Sequence, residues 1–482
     1  MYDLLIVGGG INGAAIARDA AGRGRKVLLV EKDDLAQHTS SASSKLIHGG
    51  LRYLEQYEFR LVREALKERE ILLRTAPHLV RPLRFVLPVA EGMRRPWMIR
   101  AGLKLYDLLS WGSSLPRSRG VIRSEEALRE PLADPRARLF TYWDARVDDA
   151  RLTVLNAVDA RSRGAEIETR TEFVSARRHG DHWQALLSEG RKVAARAIVN
   201  AAGPWVSEIL GRRLSEDARS RVRLVKGSHV VVPALYAGDH AYILQQPDGR
   251  VVFAIPYQTD FTLVGTTDVA VEAPETPTLS DEEALYLCEA VGRFFRKRIA
   301  PRDFVWSYAG VRALYDDGEA AAQEVTRDYH LELDGEAGAP PSLSVFGGKI
   351  TTARALAEEA LAKLGIGEGR WTAAHPFPGG DVGAFAGFAQ GFAAAHPWLP
   401  AAMADRLAGA YGSAVARVVG EATSLEALGT RFGHDLFEAE VRYLIDHEFA
   451  RSADDILWRR TKIGLRMSRS EQDAVANWME RH

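Results

Sequence analysis

The period of apolar and polar positions changes along the chain, and each change predicts an element. Residues 4–7 form a continuous apolar run suited to a buried parallel strand. The small residues Ala14-Ala15-Ile16-Ala17 then read as a helix, and residues 26–30 supply a second strand ending on Glu31. Residues 57–76 have helical period, with Leu61, Val62, Ala65, Leu66, Leu72 and Leu73 on one side and charged residues on the other; Pro77 and Pro82 end the pattern. Residues 193–202 predict a strand leading into Gly203-Pro204-Trp205. Runs at 228–233, 242–246, 251–256 and 261–266 follow too closely for helices between them, which predicts an antiparallel sheet unlike the β-α-β start. A strand at 344–346 is broken by Gly347-Gly348-Lys349 and followed by a helix over 351–364. Residues 365–380 read as a linker, and the remainder is mostly helical and charged.

The segment 93–111 is less usual. As a helix it has a narrow polar face (Arg100, Lys104, Asp107) and a broad apolar one edged by Trp97, Tyr106 and Trp111. Such a helix either lies in a membrane interface or is partly buried inside the protein. No run of 18 apolar residues exists, so no spanning helix is expected, and a strand near the first residue leaves no room for a signal peptide.

With 482 residues the chain can form two or three domains. A net charge of −1 gives no general case for nucleic-acid binding, so any anion site must be a local cluster. A single cysteine, Cys288, excludes internal disulfides and cysteine-ligated metal centres, and no metal site is expected.

Gly8, Gly10 and Gly13 stand at G-x-G-x-x-G spacing between the first strand and helix, with Ile11 and Asn12 between them. That spacing allows a tight turn, close approach to a pyrophosphate, and close helix-on-strand packing. Glu31, eighteen residues after Gly13, is placed to accept a ribose hydroxyl, so the unit reads as dinucleotide-binding. Next comes Ser40-Ser41-Ala42-Ser43-Ser44-Lys45-Leu46-Ile47-His48-Gly49-Gly50, where a nicotinamide unit would place its next helix. Small residues there let backbone N–H groups reach an extended anion, or simply form a polar surface loop. The Gly347-Gly348-Lys349-Ile350-Thr351 turn can aim a helix N-terminus at the pyrimidine edge of a flavin.

Together these motifs resemble the FAD-dependent aerobic glycerol-3-phosphate dehydrogenases. The resemblance rests on Gly-Gly-Gly-Ile-Asn-Gly at 8–13, the Ser-Ser-Ala-Ser-Ser-Lys to Tyr-Leu-Glu stretch at 40–55, and Tyr-Glu-Phe-Arg-Leu-Val at 57–62. Further matches are residues 147–152, Lys-Gly-Ser-His at 226–229, Gly-Thr-Thr-Asp at 265–268, Gly-Val-Arg at 310–312, Phe-Gly-Gly-Lys at 346–349, and residues 454–462. Ala202 and Ala313 depart from the family pattern, and a tail found in some relatives is missing after Trp478.

The resemblance implies an α/β fold: a glutathione-reductase-like, Rossmann-type FAD-binding domain (1–75, 140–215, 305–370), a mixed or antiparallel-sheet substrate and membrane-associating domain (76–139, 216–304), and a helical C-terminal domain (371–482). It implies noncovalent FAD, oxidation of sn-glycerol 3-phosphate to dihydroxyacetone phosphate, a membrane quinone as acceptor, and peripheral attachment to the cytoplasmic face of the cell membrane. A homodimer is plausible on the same ground. Expected cofactor contacts are Gly8, Gly10, Ile11, Asn12, Gly13, Glu31, Ser40, Ser41, Ser43, Lys45, Leu46, His48, Gly49, Gly50, Val174, Ala202, Gly203, Trp205, Asp268, Gly348, Lys349, Ile350 and Thr351.

A phosphate near −2 needs two or three cations, and Arg52, Arg312 and Lys349 lie in family motifs with Tyr53 beside the first. Removing a hydride from an alcohol also requires a base. His229 is the expected one, with Arg312 and Lys349 as its catalytic companions, Thr267 positioning the substrate, and His48 as the rival base. Other readings are an oxidase that reduces O2 to hydrogen peroxide, an amine or amino-acid oxidase, and a non-catalytic FAD-binding protein.

Overall fold

The computed structural model describes residues 1–89, 95–122, 124–214, 222–316, 328–335, 338–367 and 369–482; the side chains of residues 52, 55, 56 and 212 also lie outside the description. Strand β1 (Tyr2–Val7) is central to one sheet because Leu4, Leu5 and Ile6 have no polar side chain to keep wet. It pairs in parallel with β2 (Val27–Glu31) on one side and with Lys192–Asn200 on the other. Among the described residues this sheet has eight strands, and its path runs 330–334, 342–346, 192–200, β1, β2, 166–169.

Helix α1 (Ile11–Gly22) covers the sheet with a small-residue face. Ala14, Ala17 and Ala20 are fully buried, which lets the helix pack closely on β1 and on α4 (Asp149–Ser162). Each buried Leu or Ile of this core contributes about 1.5–3 kcal/mol of burial.

A second sheet, ten-stranded among the described residues, is largely antiparallel. The four closely spaced runs become Val222–Pro233, Ala241–Gln245, Val251–Tyr257 and Phe261–Gly265, paired antiparallel where they neighbour one another. The expected domain limits need correction here. Strands Leu46–Ile47, Arg138–Val147 and Trp306–Tyr315 all pair within this second sheet, so parts of 1–75, 140–215 and 305–370 belong to it. Within the second sheet, Phe140 and Tyr142 pack with Phe85 and Leu87 of Val80–Val89 on one face.

The helix expected over 57–76 is α2 (Phe59–Thr75), and the segment 93–111 yields α3 (Pro96–Leu109). Met93 and Arg94 of that segment lie outside the described residues. Its apolar face is divided. Ile99 (8% exposed), Leu103 (2%) and Tyr106 pack inward, whereas Trp97 (64%), Leu108 and Trp111 (79%) face outward. Among the described residues, no helix is long and apolar enough to cross a membrane.

Helices over 385–395, 401–411, 438–448 and 469–479 enclose a separate apolar core. Ion pairs tie this unit to the rest: Arg151 to Glu448 and Arg460 to Asp34, both buried, and Lys462 to half-buried Asp148.

Candidate active site

One cavity of about 980 Å³ runs between the two sheets, large enough for a dinucleotide with a small substrate. Its floor is the turn from β1 into α1. Gly8 has φ of +111°, and a Cβ there would lie 2.5 Å from the Ala201 carbonyl oxygen, so only glycine closes this turn. A Cβ on Gly13 would run into the Gly8 carbonyl oxygen. Helix α1 carries no acidic residue in its first turn and its N-cap, Gly10, has no side chain to cap it, which favours an anion at its positive end. The Ile11 N–H donates to Ser40 Oγ at 2.9 Å, joining the serine loop to the helix start.

Glu31 ends β2 as expected, and its carboxylate accepts the N–H groups of Gly9 (2.6 Å) and Asp33 (2.9 Å). Around it stand residues that the sequence did not single out. Lys32 lies 4.1 Å from the Trp205 ring, and His38 meets the same ring edge-on. Although no metal was expected, Glu31, Asp33 and His38 bring one ligand atom each within 4.8 Å of one another. Backbone N–H groups already hold Glu31, and Asp33 holds His38 at 2.8 Å, so this cluster belongs to the ribose end of the cavity.

The serine loop is pinned from below. Lys45 Nζ is ion-paired with buried Asp149 at 2.8 Å, and Asp149 also accepts from the Ser43 N–H (3.2 Å) and hydroxyl (2.8 Å). Thr39 Oγ1 donates to the Val311 carbonyl, and Tyr308 donates to the Ser43 carbonyl. A Cβ on Gly310 would lie 2.7 Å from that of Ala42, which accounts for the glycine before Val311.

Opposite α1, Gly347 and Gly348 both have positive φ, and Asn12 Nδ2 donates to the Gly347 carbonyl at 3.1 Å. Gly348, Ile350 and Thr351 line the cavity here, and Ala202 and Gly203 line it beside Trp205.

His229 lies within Val222–Pro233, paired with Gly265 on one side and Tyr308 on the other. Its ring stacks on Tyr308 at 4.9 Å and lies against Gly265, where any Cβ would collide with it. Nε2 is 2.9 Å from Ser44 Oγ, while Nδ1 is buried without a hydrogen-bond partner. Burial, with Lys45 and Arg312 nearby, lowers the His229 pKa to about 3. Arg312 is ion-paired with Asp268, and both line the cavity. Buried Lys349 Nζ has no hydrogen-bond partner and lies 3.9 Å from the Tyr53 ring centroid.

Of the candidate site residues, His229, Arg312, Lys349, Tyr53, Asp268, His48, Gly50 and Leu46 line the cavity. Several other expectations are corrected. Lys45 is spent on Asp149, and Thr267 Oγ1 donates to buried Glu283 at 2.6 Å and accepts the Ser228 N–H, so both are scaffold; Thr266 lines the cavity instead. Val174 is exposed on the sheet while its neighbour Phe173 lines the cavity. Gly49 donates its N–H to Tyr106, and Ser41 bonds the His38 carbonyl. The side chain of Arg52 lies outside the described residues. Aromatic residues Phe85, Tyr142 and Phe253 and the turn residues Gln246 and Arg250 also line the cavity. Nothing in the sequence singled these residues out, because their strands do not alternate cleanly between apolar and polar positions.

Comparison with known proteins agrees with this geometry. The family described as FAD dependent oxidoreductase matches residues 3–360, and that described as the C-terminal domain of alpha-glycerophosphate oxidase matches residues 370–482. The chain is 50% identical to a glycerol-3-phosphate dehydrogenase of Pseudomonas aeruginosa, covering 100% of this chain and 95% of that one. It is 47% identical to a D-erythritol 1-phosphate dehydrogenase of Brucella abortus, with coverage of 99% and 97%. The crystal structure of a glycerol-3-phosphate dehydrogenase from Bacillus halodurans, complexed with FAD, superposes with a TM-score of 0.78 at 27% identity, covering 100% of this chain and 90% of that one.

Proposed function

This chain belongs to the family of FAD-dependent glycerol-3-phosphate dehydrogenases, and from that premise we propose that it oxidises sn-glycerol 3-phosphate to dihydroxyacetone phosphate and passes the electrons to a membrane quinone. The observation that carries the reading is that one cavity is lined both by the glycine turn that opens α1 and by His229, Arg312 and Lys349. The α1 turn, Glu31, the serine loop and the Gly347–Gly348 turn would hold the FAD. When bound, FAD supplies the two-electron oxidant that takes the hydride from the substrate's C2.

Arg312 and Lys349 neutralise the phosphate, each charge-assisted hydrogen bond contributing about 1.5–3 kcal/mol. Burial keeps His229 uncharged near neutral pH, so its Nε2, which meets Ser44 Oγ, can accept a proton. A dianionic phosphate beside Arg312 offsets one of the cations that depress this histidine, strengthening it as a base once substrate is present.

The acceptor assignment is supported by α3. Met98, Ile99, Gly102 and Leu105 line the cavity while Trp97 and Leu108, with Trp111 just beyond the helix, are exposed, so one helix borders both the site and an apolar surface. An apolar quinone dissolved in lipid would enter past it, with the protein held peripherally on the cytoplasmic face of the cell membrane. A second substrate deserves testing beside the first: the Brucella relative is named for a four-carbon polyol phosphate that shares the phosphate and the secondary alcohol.

Anaerobic addition of each phosphate to FAD-loaded protein decides the substrate. Bleaching by glycerol 3-phosphate at lower concentration than by D-erythritol 1-phosphate supports the reading, and the reverse order overturns it. Reoxidation of the bleached protein by a quinone analogue, with air slow and peroxide absent, supports the acceptor; rapid reoxidation by air with stoichiometric peroxide makes it an oxidase.

A further inference from the structure

We propose that the Ser44 hydroxyl relays the proton between the substrate's alcohol and His229, an assignment that rests on the reading of His229 as the base. Of the two imidazole nitrogens, Nδ1 is sealed inside the protein without a partner, so a proton from the cavity reaches the ring only at Nε2. Ser44 Oγ already occupies that nitrogen, at 2.9 Å, and Ser44 and His229 both line the cavity.

The pair is held from several directions. The ring of His229 is stacked on Tyr308 and pressed against Gly265. Ser44 sits between Ser43, which is fastened to Asp149 and to the Tyr308 hydroxyl, and Lys45, which is fastened to Asp149. The same tyrosine thus supports the base through its ring and the relay loop through its hydroxyl. A hydroxyl fixed in this way is a donor and an acceptor at once, which a relay requires.

The step balances as follows. The substrate O–H bond breaks and its proton passes to Ser44 Oγ as the serine's own proton passes to His229 Nε2. The C2–H electron pair leaves as hydride to the oxidised flavin, and a C=O bond forms. The alcohol loses two electrons and the flavin gains them. Serine ends unchanged and histidine ends protonated. The relay starts from the tautomer in which Nδ1 carries the hydrogen and Nε2 is bare.

The test uses FAD-loaded full-length protein in anaerobic stopped-flow reduction by glycerol 3-phosphate. Ser44→Ala is expected to slow flavin reduction roughly 50-fold, within the range of a general acid–base contribution, with substrate affinity changed less than threefold. Ser44→Thr, which keeps a hydroxyl, is expected to retain the rate within about fivefold. In mixtures of H2O and D2O, the wild type should give a curved dependence on deuterium fraction, from two protons in flight, and Ser44→Ala a linear one. A Ser44→Ala protein that binds FAD and reduces it at the wild-type rate overturns the relay and leaves the substrate reading intact. A slowed Ser44→Ala whose deuterium dependence stays curved reduces Ser44 to positioning His229 and equally overturns the relay. Failure of the wild type itself to be reduced overturns both.

Discussion

Lys45 and Asp149 form a buried ion pair at 2.8 Å across 104 positions of sequence, and through it α4 fixes the serine loop against the cavity. Removing one partner of a buried pair leaves the other charge uncompensated, at about 3–5 kcal/mol. Lys45→Met should therefore lower unfolding stability by roughly that amount in a denaturant titration and release flavin at lower denaturant than the unfolding midpoint. Unchanged flavin retention would show that the loop is held without the pair.

The α1 turn predicts a loss of cofactor without a loss of fold. A Cβ at Gly13 would collide with the Gly8 carbonyl oxygen, so the turn that opens α1 would have to shift. Gly13→Ala should yield protein with native circular dichroism and most of its flavin absent after purification, read from the ratio of visible to 280-nm absorbance.

Arg312→Met and Lys349→Met should weaken glycerol 3-phosphate binding by roughly 10- to 150-fold each, the equivalent of one charge-assisted hydrogen bond. Flavin content should stay near the wild-type value. Equilibrium titration of the substrate analogue glycerol 2-phosphate, followed by flavin spectral perturbation, checks this without turnover.

The outer face of α3 predicts membrane attachment, and its inner face predicts stability. Trp97→Ser with Trp111→Ser should move protein from the pellet to the supernatant in liposome sedimentation while sparing flavin reduction. Ile99→Ser or Leu103→Ser should instead destabilise the fold by about 2–5 kcal/mol, as core truncations do, because both side chains are buried.

Acid should destabilise the protein through histidines that are buried uncharged. His78 and His229 both have pKa values lowered to about 3, chiefly by burial, with Arg151 and Arg81 adding to His78, and Lys45 and Arg312 to His229. Below the ordinary value of 6.5 the unfolded chain binds protons that the folded chain refuses. Stability is therefore full well above pH 6.5 and falls as pH drops toward 3, by on the order of 1 kcal/mol per histidine for each pH unit below 6.5. Thermal melts should show this slope, and His78→Leu should make it shallower; an equal slope in the variant would contradict it.

Sequence made the β1–α1–β2 unit and the late Gly347–Gly348 turn legible because each needs glycine at fixed positions and leaves a local signature. It also revealed the antiparallel character of the second sheet through closely spaced strands. Sheet membership of Arg138–Val147 and Trp306–Tyr315 was hidden, since alternation shows that a strand has two faces but not which sheet it joins. His229, Arg312 and Lys349 stood out by residue type and motif. Lys45 and Thr267 carry the same chemistry, and only their distant partners Asp149 and Glu283 reveal them as scaffold. Ser44 was one serine among several until the register of Val222–Pro233 brought His229 beside it.

The most direct test of the central claim is anaerobic stopped-flow reduction of the FAD-loaded protein by sn-glycerol 3-phosphate carrying deuterium at C2. Complete bleaching of the visible flavin band is expected, slowed several-fold relative to unlabelled substrate, with dihydroxyacetone phosphate as the product. Absence of bleaching, or bleaching at the same rate with either substrate under conditions where chemistry limits, would contradict hydride removal from C2 at this site.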